Sequence, residues 1–162
     1  MDECLPHPSS MRRIGARPEA PVFVREDRAV TTTIDKIAWI HLENGRILST
    51  RSLGKDVYYL PGGKREEGES DLDTLVREIE EELAVAIVPA TAAHVGTFRA
   101  QAHGHTVGVT VQMTCYTADH HGRPTPSSEI AEVVWLTYAD RDRVSPVDQI
   151  IFDHLHQSGR LH

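Results

Sequence analysis

The sequence has little cysteine, few aromatic residues and no long apolar run, and these shortages exclude several classes of protein. Its two cysteines, Cys4 and Cys115, lie far apart, so a disulfide framework is not expected and a reducing cytoplasm is the predicted location. No stretch approaches the roughly 18 consecutive apolar residues that a membrane helix needs. The first twenty residues lack the apolar segment of a secretory signal. We therefore expect a cytoplasmic protein that does not engage a membrane.

Positive charge is also in short supply. The 162 residues include 17 lysines and arginines against 24 aspartates and glutamates, which gives a formal net charge of −7. Such a protein lacks the broad basic face that binds nucleic acid, so we expect no stable complex with a duplex. If the protein handles phosphates, it needs a local basic pocket or a bridging metal cation.

The length and the 40% hydrophobic content fit one domain with a real core. Residues 1–30 carry several prolines and scattered charge, and they are predicted to form an extended or poorly ordered arm with a short strand at 22–24. Residues 31–162 are predicted to be the folded domain. The order of its elements is strands, one central helix, strands and a terminal helix opened by Pro146, which favours a mixed α/β sandwich.

Apolar periodicity predicts where the strands lie. Asn44 and Gly45 form the strongest hairpin signal, with a strand on either side. A short strand at 57–60 is expected to stop at the proline and two glycines of 61–63. The other predicted strands cover 34–42, 46–51, 95–102, 106–117 and 132–137.

The clearest helix is predicted over residues 70–83. Ser70 can cap it, and Asp73, three residues on, completes a variant of the capping box. One apolar stripe runs along the helix. The stripe consists of Leu72, Leu75, Val76, Ile79 and Leu83.

Three glutamates, Glu78, Glu81 and Glu82, are predicted to sit together on this helix, away from the apolar stripe. Their i,i+3 and i,i+4 spacings bring like charges together, and the helix dipole disfavours anions in the C-terminal half. A divalent cation would remove both penalties, and Mg²⁺ or Mn²⁺ takes hard oxygen ligands of this kind. The alternative is an ordinary solvated acidic face, because glutamate is a good helix former.

The loop before the helix favours a metal site. Residues 61–69 read PGGKREEGE, and glycines in such a loop let the backbone approach a ligand closely. Lys64 and Arg65 can contact phosphate oxygens. Together with the glutamates, the loop indicates a metal-bridged polyphosphate site in which the Gly63 carbonyl is a further candidate ligand.

Residues 63–85, GKREEGESDLDTLVREIEEELAV, resemble the Nudix box. Ala84 stands where that family usually has glycine. The resemblance implies a Nudix-type α/β/α sandwich with a mixed sheet and a central catalytic helix. It also implies metal-dependent hydrolysis, with Mg²⁺ or Mn²⁺, of a nucleoside diphosphate linked to another group. The matching positions are Gly63, Glu69, Arg77, Glu78, Ile79, Glu81, Glu82 and Val85.

The resemblance also implies roles for these residues. Arg77 would orient a box glutamate, which its i,i+4 spacing to Glu81 permits. Glu69 matches a box carboxylate that is often structural or in indirect contact with the metal. Outside the box, Glu129 and Glu132 are candidates for a general base, with a solvated acid as the alternative for each. The implied metal ligands are Gly63, Glu78, Glu81 and Glu82.

Substrate contacts lie outside most of the box. Arg51 and Lys64 look like the phosphate-facing basic residues of the mutator-type branch, which cleaves nucleoside triphosphates. Asp148 stands where that branch has a residue that recognises the nucleobase. The alternatives are exposed cations and an acid that complements the helix dipole. Tyr58 and Tyr59 alternate in direction, so one of them, with Tyr59 as the candidate, can stack on a base.

The predicted substrate is a nucleoside di- or triphosphate, oxidised forms included. ADP-ribose, another dinucleotide-type substrate, and a non-hydrolysing Nudix-like binding domain are the alternatives. His103 and His105 alternate along a predicted strand, as metal ligands can, although a surface pair is more common. We expect a monomer or homodimer whose partner is a small nucleotide.

Overall fold

The computed structural model describes residues 31–162. The predicted arm at 1–30, its short strand and Cys4 lie outside the described residues. In chain order the elements are β1 (Thr33–Trp39), β2 (Leu42–Glu43), β3 (Arg46–Ser52), β4 (Gly62–Lys64), α1 (Asp71–Leu83), β5 (Ala86–Ile87), β6 (Ala93–Gln101), β7 (Thr110–Thr117), β8 (His120–His121), β9 (Ile130–Leu136) and α2 (Pro146–Gln157). Short 3-10 helices cover Pro89–Thr91 and Tyr138–Arg143.

A mixed four-stranded sheet forms the centre of the domain. Its strand order is β4-β1-β7-β6; β1 and β7 are parallel, and the other neighbours are antiparallel. A second, antiparallel sheet has the order β2-β3-β9, and β5 pairs with β8. Helix α1 packs against β1 and β4, whereas α2 packs against β6 and β7. These layers confirm the predicted α/β/α sandwich.

Burial on both faces explains the unbroken apolar run in β1. Ile37 and Trp39 pack in one core with Leu75 and Ile79 of α1. Ala38, between them, belongs to the other core, on the α2 side. Successive side chains of a strand point to opposite faces, so a strand between two helices has no polar face. No helix within residues 31–162 is long and apolar enough to cross a membrane.

Two segments near the central helix differ from the sequence prediction. The stretch 57–60 forms only isolated bridges, one to β3 and one to Val144, so no strand ladder can propagate. Conversely, Gly62–Lys64, predicted as a turn, is strand β4 and pairs with β1. Glycine at position 62 permits this pairing, because its φ of 138° suits a residue without a side chain, and a Cβ would overlap the Ile37 carbonyl.

The predicted strand at 106–117 is shorter in the structure. Strand β7 begins at Thr110, and the residues before it form a turn after β6. His103 and His105 therefore lie in a turn, and the premise that they alternate along a strand is wrong. The turn is closed by the Ala102 amide, which donates to the Val109 carbonyl at 2.8 Å.

Helix α1 begins as predicted and ends under strain. The Ser70 hydroxyl accepts the Asp73 amide at 3.2 Å, and the Asp73 carboxylate accepts the Ser70 amide at 3.0 Å, which confirms the capping box. At the other end Ala84 is left-handed, with a φ of 55°. This conformation costs an L-residue roughly 1–2 kcal/mol, and it is the one that the family's glycine adopts freely.

Candidate active site

A cavity of about 160 Å³ opens over one face of the four-stranded sheet. Strand β1 contributes Lys36, β4 contributes Lys64, and the last turn of α1 contributes Glu82. The cavity therefore lies where the predicted box helix meets the centre of the sheet. Its wall and rim also include Thr50, Ser52, Lys55, Tyr59, His103, His105, Met113, Ser145 and Val147.

Glu82 is buried at this cavity, with 7% of its surface exposed. The Gly62 amide donates to its Oε2 atom at 2.9 Å. Burial raises the pKa of the Glu82 carboxyl to about 8, the Gly62 amide opposes the rise, and the Glu78 charge adds to it. The alternative of a solvated acidic face is therefore wrong for Glu82, because β4 covers this side of the helix.

Glu78 lies beside Glu82 and directly against β4. A Cβ atom placed on Gly63 would overlap the Glu78 carboxylate, so any other residue here would displace that carboxylate. The backbone of β4 and a box glutamate are thereby brought into contact. Glu81 is more exposed, with 56% of its side chain accessible, and its Oε2 atom lies 3.7 Å from the Arg77 Nη1 atom that bonds Glu78.

Arg77 links the loop to the helix. Its Nε and Nη2 atoms donate to the two carboxylate oxygens of Glu69 at 2.6 and 2.9 Å, and its Nη1 donates to Glu78 Oε1 at 2.8 Å. Glu81 Oε2 is farther from Arg77, at 3.7 Å. Arg77 therefore orients Glu78 rather than Glu81, because the paired bond to Glu69 holds the guanidinium on the loop side. The same bond lowers the pKa of Glu69 to about 2.

The oxygen ligands at this site fit a hard divalent cation such as Mg²⁺ or Mn²⁺. Within residues 31–162, no three acidic, histidine or cysteine side chains are already grouped around one metal position. The fit rests on two other observations. The buried Glu82 is costly to ionise unless a cation compensates it, and Gly63 has no side chain to separate its backbone from the Glu78 carboxylate.

Of the two candidate general bases, Glu129 and Glu132, only Glu129 lies near the glutamates of helix α1. Its charge contributes to the raised pKa of Glu82, and the amide of Ser127, in the same loop, donates to the Glu82 carbonyl at 3.0 Å. A hydrogen bond from the Ser128 hydroxyl lowers the pKa of Glu129, so this carboxylate is ionised at neutral pH. Glu132 instead accepts the Tyr58 hydroxyl at 2.5 Å, outside the cavity.

The structure does not bring Arg51 to the cavity. Thr50 and Ser52 line the cavity, and the residue between them points to the other face of β3. There the Arg51 guanidinium pairs with Glu132. Tyr59 does line the cavity, whereas Tyr58 bonds Glu132, so the two tyrosines diverge as their alternation predicts.

Asp148 is fully buried in the first turn of α2. The Ser145 hydroxyl donates to its Oδ2 atom at 2.7 Å, and Oδ1 has no hydrogen-bond partner in the described part of the chain. Burial raises the pKa of Asp148 to about 6, although the Ser145 hydroxyl favours the charged form. The position of this residue in the sequence suggested a helix-end acid, but only tertiary packing could show its burial.

Sequence reasoning missed Lys36 and placed two histidines on a strand rather than in a turn. The signal for Lys36 was a single lysine inside the apolar β1 segment, because a lysine is rarely buried there unless its charge has a partner. His103 and His105 lie at the cavity from the β6–β7 turn. The Nε2 atom of His103 is 2.9 Å from Asp56 Oδ1, so its partner is a carboxylate of the facing loop.

Comparison with known families identifies the fold and the reaction class. The sequence matches the family profile described as NUDIX domain over residues 34–155. The chain belongs to the Nudix family. It is therefore a hydrolase of phosphoanhydride bonds in small nucleotide-type substrates, in a family that generally uses divalent metals. The prediction of an enzyme is confirmed over the alternative of a non-hydrolysing binding domain.

Solved Nudix structures share the fold. The ORF135 protein of E. coli is 23% identical, with a TM-score of 0.63, over 79% of this chain and 94% of that one. A MutT Nudix hydrolase of Burkholderia pseudomallei is 21% identical, with a TM-score of 0.61, over 75% and 97% of the two chains. A UDP-X diphosphatase is 20% identical, with a TM-score of 0.59, over 83% and 68%. A comparison with curated proteins finds no match.

Proposed function

We propose that this Nudix hydrolase cleaves nucleoside di- and triphosphates, oxidised forms included, with Mg²⁺ or Mn²⁺ as cofactor. The observation that carries the proposal is a single cavity with two unlike ends. One end holds the buried Glu82 carboxylate, and the other holds Tyr59 and Ser145, which bonds the buried Asp148. A ligand that spans them needs a polyphosphate at one end and a planar group with polar edges at the other.

The polyphosphate belongs at the glutamate end. When bound, the metal would screen phosphate charge and lower the pKa of the attacking water. Lys64, which lines the cavity from β4, supplies a phosphate contact. Glu129 is the proposed base that orients and deprotonates the water, and Arg77 holds Glu78 in place. The residues proposed to hold the metal are Gly63, through its carbonyl, Glu78, Glu81 and Glu82.

The nucleobase of the substrate belongs at the end of the cavity near Asp148. The Tyr59 ring offers a stacking surface for a planar base. The unpartnered Oδ1 of Asp148 is an acceptor for an N–H group on the edge of that base. A buried acceptor without a partner is unfavourable in the free protein. A nucleobase that supplies the missing donor should therefore bind more tightly than one that does not.

A side-by-side hydrolysis screen tests the substrate class. We expect higher kcat/KM for nucleoside triphosphates than for ADP-ribose or coenzyme A, with activity that requires Mg²⁺ or Mn²⁺ and rises at alkaline pH. A preference of more than tenfold for ADP-ribose would reject the triphosphate assignment. Full activity after exhaustive chelation would reject the metal mechanism.

The Asp148→Ala variant tests base reading. A hydrogen bond to a base contributes roughly 1–3 kcal/mol when its loss leaves a partner unpaired, so preference among bases should shift by about 10- to 100-fold. Asp153→Ala is the matched control, because Asp153 lies on the same helix but pairs with Arg141. Unchanged base preference in Asp148→Ala would remove this role from Asp148.

A further inference from the structure

Two lysines face each other across the floor of the cavity. Lys36 of β1 and Lys64 of β4 are direct cross-strand partners, and both line the cavity. Like charges at directly opposed positions destabilise a sheet. Within residues 31–162, neither ammonium group lies within 4.0 Å of a carboxylate oxygen, so no ion pair in the described chain offsets the repulsion. An anionic ligand bound between the two lysines would offset this repulsion.

The two lysines belong to a row that crosses the sheet from a charged end to an apolar end. Lys64, Lys36 and Met113 occupy matching positions on the neighbouring strands β4, β1 and β7. Strands in a sheet lie about 5 Å apart, so the row is about 10 Å long. Beyond Met113 lies the partly buried ring of Phe98, its cross-strand neighbour on β6. At the other edge of the sheet, Glu82 accepts a hydrogen bond from the Gly62 amide of β4.

Lys36 is in the middle of this row and near both ends of the site. Its Nζ atom lies 5.8 Å from the centre of the Tyr59 ring. Its charge also acts on the carboxyls of Glu82 and Asp148, lowering the pKa of each against the larger effect of burial. The ammonium group therefore stands between the glutamate end and the base end of the cavity.

We propose that Lys36 binds the substrate phosphate nearest the base. The sequence assigned a phosphate contact to Arg51, but its guanidinium is paired with Glu132 on the far face of β3. Lys64 then serves the phosphates closer to the glutamates. The proposal rests on the proposed function, because it concerns how the same cavity holds a nucleotide.

Binding to the metal-free protein tests this contact without relying on turnover. The probes are AMP, GMP, CMP and UMP and the four matching nucleosides, titrated by calorimetry into chelator-treated protein. A charge-assisted hydrogen bond to phosphate is lost in Lys36→Gln, so binding of the best monophosphate should weaken about 10- to 100-fold. Binding of the matching nucleoside should stay within about twofold. Lys36→Arg, which keeps the charge, should restore most of the affinity.

Lys55→Gln is the matched control for general electrostatic attraction, because Lys55 lies on the exposed rim of the same cavity. It should change monophosphate affinity by less than about threefold. Lys36→Met retains a straight apolar stem and provides the same comparison if Lys36→Gln does not fold.

Two outcomes would overturn the role of Lys36 and leave the proposed function standing. One is monophosphate binding by Lys36→Gln that equals wild type. The other is an equal loss for nucleoside and monophosphate, which would mean that Lys36 shapes the cavity or contacts the base. If wild-type protein binds none of the four monophosphates, this inference fails, while the hydrolysis screen with Mg²⁺ decides the proposed function separately.

Discussion

The two helices each bury one carboxylate, but at opposite helix ends. Glu82 lines the cavity, whereas Asp148 lies behind the lining and bonds Ser145, which lines it. Glu82 lies in the last turn of α1, where the helix dipole disfavours an anion, and Asp148 lies in the first turn of α2, where the dipole favours one. Burial raises both pKa values, to about 8 for Glu82 and about 6 for Asp148. The comparison teaches that burial opposes ionisation of both carboxyls. The effect is larger for Glu82, where the helix dipole adds to it, than for Asp148, where the dipole and the Ser145 hydroxyl oppose it.

The largest expected effect comes from removing the charge that needs the cation. Glu82→Gln should abolish turnover, with a loss in kcat of more than about 100-fold, because it removes a proposed metal ligand while keeping the shape of the side chain. Glu80→Gln is the control, since Glu80 is an exposed glutamate on the same helix. Steady-state kinetics with Mg²⁺ and circular dichroism of both variants provide the measurement. A fully active Glu82→Gln variant would end the metal-site assignment.

The second prediction concerns how Asp148 makes the free energy of unfolding depend on pH. The pKa of Asp148 is about 6 in the folded protein and about 3.8 when unfolded, so the folded state binds more protons between these values. The burial of Asp148 therefore leaves the free energy of unfolding unchanged below about pH 4 and lowers it as the pH rises to about 6. Relative to wild type, Asp148→Asn should gain about 3 kcal/mol in unfolding free energy between pH 4 and pH 7.

Urea unfolding at the two pH values measures this gain, and Asp153→Asn provides a control that should respond little to pH in this interval. A hydrogen bond from Arg141 lowers the pKa of Asp153, so its contribution to stability is lost only as the pH falls below the unfolded value of 3.8. Relative to wild type, the stability of Asp153→Asn should therefore change little between pH 4 and pH 7. If both variants respond to pH alike, Asp148 is not the strained buried acid of this comparison.

A smaller effect is expected from the arginine that positions the neighbouring glutamate. Arg77→Lys keeps the charge but cannot donate to both oxygens of Glu69 and to Glu78 at once. We expect kcat to fall about 10- to 100-fold, as for other residues that hold a metal ligand in place. Glu69→Gln should reproduce part of this loss, because it weakens the same anchor. Higher Mg²⁺ should partly rescue both variants; a defect insensitive to Mg²⁺ would argue against a role through the metal.

The smallest effect concerns how α1 ends, beside Glu82. Ala84 holds a left-handed conformation that glycine adopts without steric cost. Ala84→Gly should therefore raise the unfolding free energy by about 1 kcal/mol and leave kcat within a factor of two. Thermal unfolding with parallel activity assays checks both statements. A destabilised glycine variant would show that Ala84 is held by contacts rather than strained.

Much of the helix could be predicted from local sequence because its causes are local. The Ser70–Asp73 capping box and the apolar stripe depend on residues three or four apart, and both are present. The Nudix box, a pattern of fixed spacing, also predicted the family. Residues 57–60 and β4 were predicted wrongly, because strand formation depends on which distant segment lies alongside.

The sequence by itself determined the family, the capping of the central helix and the supply of glutamates, since each is a matter of residue type and short spacing. Only the tertiary structure decided which charges reach the cavity. Whether Arg51 or Lys36 faces it depends on strand register and alternation, and whether Glu82 and Asp148 are buried depends on what packs over them. These are properties of contacts between residues far apart in the chain, and burial, which such contacts create, is what raises the pKa values of both acids.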